Sequence, residues 1–129
     1  YPHTREDIIF IHISIIKDVN TLKDYYKFVG LLIHEKLHIY QRYNNIAVDN
    51  FLEKLNIRHK YHRKEFKLIR ANPDLNNWVY QHNDKLMLYE YANEFPKGIN
   101  DIKTKYSKYE HPYEMISYTI ENEYLVKMI

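Results

Sequence analysis

The stretch Leu31-Leu32-Ile33-His34-Glu35-Lys36-Leu37-His38-Ile39-Tyr40-Gln41-Arg42 constrains this chain more than any other. It contains His-Glu-x-x-His inside a pattern that reads as a helix. A helix turns once in ~3.6 residues, so His34 and His38 lie one above the other on one face and both imidazoles can reach a single metal ion. Glu35 stands beside His34, where a carboxylate can lean toward a water held by that ion. Zinc lowers the pKa of its water to about 7, which lets such a carboxylate take the proton and make a nucleophile. The competing account is a charged amphipathic helix with ordinary histidines, and the surrounding chain has to decide between the two.

The helical pattern extends well beyond the motif. Asp18-Val19-Asn20-Thr21 reads as a turn whose Asn20 or Thr21 caps a helix from about Leu22 to Tyr43. Tyr26, Phe28, Val29, Leu32, Ile33, Leu37 and Tyr40 recur at helical spacing. His34, His38 and Gln41 share one face, and Gly30 marks either a close-packing point or a break. Asn44-Asn45 ends the element.

Composition narrows the chemistry. The 129 residues include no cysteine, which excludes disulfides, thiolate zinc sites and thiol catalysis, so a metal must be held by His, Asp or Glu. Fourteen tyrosines and only two glycines suit a folded domain rather than a disordered or repetitive chain. One domain spanning 1–129 is expected, and the start at Tyr1 rather than Met suits a trimmed domain or fragment. The formal net charge of +2 is too mild to imply nucleic acid. No apolar run reaches a membrane span and no signal peptide is visible, which together with the missing cysteines favours a cytoplasmic location. A monomer without a nucleic-acid or membrane partner is the expectation.

Around the motif helix, Asp7–Ile16 reads as a strand, dense in β-branched residues, with His12 on its more polar face. Val48–Ile57 reads as a second helix. Arg58–Ile69 continues it or forms a third, with the basic run 58–64 as a solvated face. Asn72-Pro73-Asp74 is a turn segment. Trp78–His82 and Lys85–Tyr91 read as a hairpin turning at Asn83-Asp84, and a loop follows to Tyr109. Pro112 opens a last helix that runs to about Val126.

A catalytic zinc needs a third protein ligand. A histidine six residues past His38 would serve, but that position is Asn44. A Glu-x-x-x-Asp helix would also serve, but Glu53 and Glu65 are followed at that spacing by Ile57 and Ile69. Downstream, Glu114 falls in the first turn of the last helix, where the helix dipole favours an ionised carboxylate. Tyr118 lies one turn further on the same face and can donate to an oxyanion. His111 is its main rival as ligand, with Glu110, His59 and His62 behind.

His34-Glu35-Lys36-Leu37-His38-Ile39-Tyr40-Gln41, followed by Pro112-Tyr113-Glu114-Met115-Ile116-Ser117-Tyr118, resembles the gluzincin type of zincin metallopeptidase. More narrowly, it is similar to small metallopeptidase-like proteins with His-Glu-x-x-His-x-x-Gln and a later Pro-x-Glu-x-x-[Ala/Ser]-Tyr helix. The resemblance implies Zn2+ held by His34, His38 and Glu114, with Glu35 as general base. The fold it implies is α+β and zincin-like, with a small sheet (the N-terminal strand plus the hairpin) packed on the motif helix and the C-terminal helix. The expected activity is hydrolysis of a peptide or protein substrate, with Tyr118 stabilising the oxyanion. Two other readings accompany it. One is a zinc-binding module without catalysis. The other is a Spartan-like DNA-associated protease using the basic run 58–64, with His59 or His62 as ligand.

Overall fold

The computed structural model describes residues 2–69 and 74–129. Two short strands, β1 (His3–Arg5) and β2 (Ile8–Phe10), form an antiparallel hairpin turned at Glu6, which has φ 53°. A five-residue helix follows, α1 (Ile13–Lys17). The long helix α2 (Leu22–Tyr43) leads into α3 (Asn45–Lys54). Strand β3 (Ile57–His62) comes next, then β4 (Trp78–His82), β5 (Lys85–Met87), β6 (Tyr89–Tyr91), β7 (Ile102–Lys105) and finally α4 (Pro112–Met128).

The α+β class holds, with four helices and small antiparallel sheets among the described residues, but the sheet is arranged differently from the expectation. The N-terminal strand and the later hairpin belong to separate sheets: β1-β2, β3-β4-β5 and β6-β7. The expected strand Asp7–Ile16 ends at Phe10. Its second half turns helical because the His12 ring caps α1, with Nδ1 accepting from the Ser14 N–H at 3.1 Å. An isoleucine-rich run fits either element, and here the cap decides.

The expected helix from Arg58 onward is also overturned. Asn56 adopts φ 62°, which ends the preceding helical turn and sends the chain into β3, paired with β4. Asn tolerates this left-handed conformation better than most residues. The hairpin β4-β5 turns at Asn83, with φ 54°, as the sequence suggests. After Met87 the chain leaves that sheet. Tyr89–Tyr91 pairs with Ile102–Lys105, which lies inside the expected loop. Most of the Asn72-Pro73-Asp74 turn falls outside the described residues.

Helix α2 keeps the expected bounds. Its start is fixed by a capping box: the Thr21 hydroxyl accepts from the Asp24 N–H at 3.0 Å, and the Asp24 carboxylate accepts back from the Thr21 N–H. Gly30 does not break the helix. It is the point where α4 comes closest, since a Cβ there would sit 3.3 Å from Leu125 Cδ2. Helices α2 and α4 are thereby packed together.

The apolar core lies to one side of that pair. Val48 and Leu52 of α3, Ile57, Tyr80 and Met87 of the three-stranded sheet, and Tyr113 of α4 form it. Beneath it, Asp49 accepts from the hydroxyls of Tyr80 (2.6 Å) and Tyr113 (2.9 Å). Burial is the main reason both phenols ionise only well above the ordinary range, with the bonds to Asp49 adding to it. These bonds fix the first turn of α4 against α3 and β4, and so fix where Glu114 points.

Candidate metal centre

The α2–α4 interface is polar where it faces the N-terminal half of α4. His34, Glu35, His38 and Gln41 of α2 are buried there, as is Ser117 of α4. Buried polar groups are tolerated when each finds a partner. His34 Nε2 and His38 Nε2 lie 3.1 Å apart. Glu114 Oε1 is 3.2 Å from His34 Nε2 and in close contact with His38 Nε2. Among the described residues, His34, His38 and Glu114 form a group that could hold a metal ion, with one ligand atom from each lying within 4.8 Å of the others. In a tetrahedral zinc site with Zn–N near 2.0–2.1 Å, neighbouring ligand atoms stand about 3.3 Å apart. The two nitrogens and the carboxylate oxygen therefore fit a small ion with modest adjustment.

The other ring nitrogens are fixed as well. His34 Nδ1 donates to Glu121 Oε1 at 2.8 Å. His38 Nδ1 donates to Gln41 Oε1 at 3.0 Å, and the Gln41 amide donates to the Tyr113 carbonyl at 3.0 Å. Both imidazoles are thus turned so that Nε2 faces the centre. Such outer partners are what orient metal-ligating histidines. Gln41 shares a face with the motif histidines in the sequence. Glu121 does not emerge from motif reading, although it lies two helical turns beyond Glu114 on α4, a spacing that returns it to the same side.

Charge at the site follows from these contacts. Burial alone would raise the Glu114 carboxyl, but its hydrogen bonds to His34 and His38 outweigh that and hold it at about 2. Burial alone would lower His34, but Glu114 and Glu121 raise it to about 9. Glu35 is pushed up to about 7, chiefly by burial and further by Asp74. Its Oε2 is buried and has no hydrogen-bond partner among the described residues. An orphaned carboxylate oxygen beside three convergent donors is the arrangement a base needs, with its acceptor free for a proton.

The triad and Glu35 line a cavity of about 360 Å³, closed in part by Leu31, Asp74, Ile99 and Tyr118. Asp74 is itself tied down, accepting from the Thr4 N–H at 2.7 Å and the Thr4 hydroxyl at 2.6 Å. Arg42 of α2 donates to the same Thr4 hydroxyl at 2.8 Å, so the N-terminal hairpin is pinned across the back of the site. The Tyr118 ring meets the His34 ring edge-on, 4.5 Å between centroids. Burial, then Glu114 and Glu121, push its phenol up to about 12, so it keeps its proton at neutral pH.

The rival ligands lie elsewhere. His111 is the N-cap of α4. Its Nδ1 accepts from the Tyr113 N–H at 3.0 Å and its Nε2 donates to Asn76 at 2.8 Å, which occupies both ring nitrogens. Burial holds it neutral, with a pKa near 3. His59 contacts Asp49 and Tyr80, His62 caps a short 3-10 turn through Lys64, and Glu110 accepts from the Tyr91 hydroxyl. His12 is spent on its own cap.

No described helix is long and apolar enough to cross a membrane. No protein-family model matches the chain, and no curated protein or solved structure is detectably similar to it.

Proposed function

We propose that this chain is a zinc-dependent peptidase of the gluzincin type, acting on peptide or protein substrates. The observation that carries the reading is the convergence of His34, His38 and Glu114 beside the unpartnered Oε2 of Glu35. Two imidazoles and one carboxylate are a donor set of catalytic zinc sites that leave a fourth position open. Bound there, the ion supplies Lewis acidity, which acidifies water and polarises a carbonyl. Glu35 takes the proton of the attacking water at Oε2 and returns it to the leaving amine. Its unpartnered Oε2 leaves an acceptor free for that proton. Tyr118, protonated and facing the same cavity, donates to the oxygen that gains charge. Glu121 and Gln41 hold the histidine rings in position.

The test pairs two variants. Glu35→Gln should retain zinc, measured by elemental analysis, and lose peptide hydrolysis. Glu114→Ala should lose both zinc and hydrolysis. Hydrolysis by Glu35→Gln at the parent's rate would remove the proposed mechanism, and full zinc retention by Glu114→Ala would remove the proposed third ligand.

A further inference from the structure

A second, larger cavity of about 540 Å³ adjoins the metal centre. The two share Ile99, Glu114 and Tyr118, so whatever occupies one continues into the other. Ile99 is 76% exposed and lines both cavities, where it offers an apolar contact at their junction. The walls of the larger cavity are aromatic. Tyr89 and Tyr91 come from β6, and Tyr109 is stacked on Tyr118 with centroids 6.0 Å apart. Ile102 completes the apolar lining.

The rim carries positive charge. Lys103 and Lys105 project from alternate positions of β7, both exposed, and both line the cavity. Lys105 lies over the Tyr89 ring at 5.1 Å, and Lys103 pairs loosely with Glu90 at 3.8 Å. An exposed pair of that kind contributes little and exchanges readily for another carboxylate. Of the acids in the lining, Glu110 accepts from the Tyr91 hydroxyl and Glu114 belongs to the metal centre. The exposed charges of the lining are therefore the two lysines, Glu110 and Glu114 being only partly exposed.

We infer that this groove is the substrate-recognition subsite, taking an extended peptide whose aromatic side chain lies among the tyrosines and whose neighbouring acidic residues meet Lys103 and Lys105. Offset or edge-on packing between aromatic rings gives such a pocket preference for a ring over an aliphatic chain. Charge complementarity at a rim chiefly adds specificity. The inference rests on the peptidase reading for its substrate class, but apart from Ile99, Glu114 and Tyr118 it concerns residues outside the metal-centre cavity.

The experiment uses fluorescein-labelled hexapeptides and the zinc-loaded Glu35→Gln protein, with binding followed by anisotropy. One peptide carries Phe flanked by Glu, a second Phe flanked by Lys, and a third Ala flanked by Glu. The first should bind about tenfold more tightly than either other, the scale expected from two rim charges or one buried ring. The double variant Lys103→Glu/Lys105→Glu, made on the same background, should prefer the lysine-flanked peptide. Both lysines are exposed, so the exchange leaves the fold intact. Equal binding of the three peptides, or a preference unmoved by the charge exchange, overturns the inference. Parent protein that hydrolyses all three at one rate would sink the subsite alone. Selective binding with no hydrolysis of any peptide by the zinc-loaded parent would instead sink the peptidase reading and leave the groove standing.

Discussion

Glu121 offers the sharpest check on how the centre is built. Its carboxylate accepts from His34 Nδ1 at 2.8 Å, and the two side chains are only 17% and 6% exposed. A hydrogen bond to a charged group in such surroundings contributes about 1.5–3 kcal/mol, or roughly ten- to a hundredfold in an equilibrium constant. Not all of that reaches metal affinity. In the metal-free protein Glu121 also holds His34, so only the part that aligns Nε2 and strengthens it as a donor differs between the two states. Glu121→Gln keeps an acceptor and should weaken zinc binding by about tenfold, while Glu121→Ala should weaken it by up to about a hundredfold. Competition against a chromophoric chelator measures both. Glu123→Ala, an exposed acid on the same helix, serves as the control and should match the parent. If Glu121→Ala stays folded by circular dichroism and binds zinc within twofold of the parent, then Glu121 does not orient His34.

Three further outcomes follow from the packing and charge. His111 has a folded-state pKa near 3, against about 6.5 when unfolded, so its neutral form is the one the fold accommodates. Its contribution is complete above about pH 6.5 and is lost as pH falls toward 3. Between about pH 6 and pH 4 the parent should therefore lose stability about 1.4 kcal/mol per pH unit faster than His111→Asn, which keeps a capping side chain; parallel slopes in urea titrations would refute this. Gly30→Leu places atoms where Leu125 Cδ2 and Glu121 Cγ already crowd the Cβ position, at 3.3 and 3.5 Å, and should cost about 1–3 kcal/mol in urea unfolding and weaken zinc binding together. Zinc at about 100 times its Kd should stabilise the parent by about 2.7 kcal/mol, roughly 10 °C in Tm, and should leave the Tm of Glu114→Ala unmoved in the same scan.

What could be read from the sequence was whatever is encoded within a few turns of one helix. The bounds of α2 follow from Thr21 and Asp24 at one end and the Asn44-Asn45 step at the other, with apolar spacing between. Glu114 is legible as a candidate because Pro112 marks a helix start and acids favour first turns. Strand β3 is not legible because Ile57 is its only buried residue and the rest of the segment is basic and aromatic, which suits a solvated helix equally well. Strand β7 had a readable signal in the alternation of Ile102 and Thr104 against Lys103 and Lys105, but it lies in a stretch otherwise poor in apolar residues. Asp74 had none. Its bonds to Thr4 join residues 70 positions apart, and nothing local to either announces the partner.

That contrast has a physical origin in how the site divides its tasks. The candidate metal donors sit on the two longest of the described helices, where spacing along the chain becomes position in space and a short motif suffices. The α2–α4 contact over those donors is made of His34, His38, Gln41, Glu114, Ser117 and Glu121 rather than of apolar side chains. Polar contacts of this kind stabilise an interface only when every partner is in place, so the helices have to be positioned by something else. Two features do this: the close approach at Gly30 and the Asp49–Tyr80–Tyr113 bonds at the edge of the apolar core. The groove, by contrast, is walled mostly by short strands and the segments joining them between Tyr89 and Glu110, where no helical repeat turns spacing along the chain into position in space. A change at Gly30 or Asp49 should therefore disturb metal binding without touching a ligand, whereas changes at Lys103 or Lys105 should alter peptide preference and leave the metal affinity as it was.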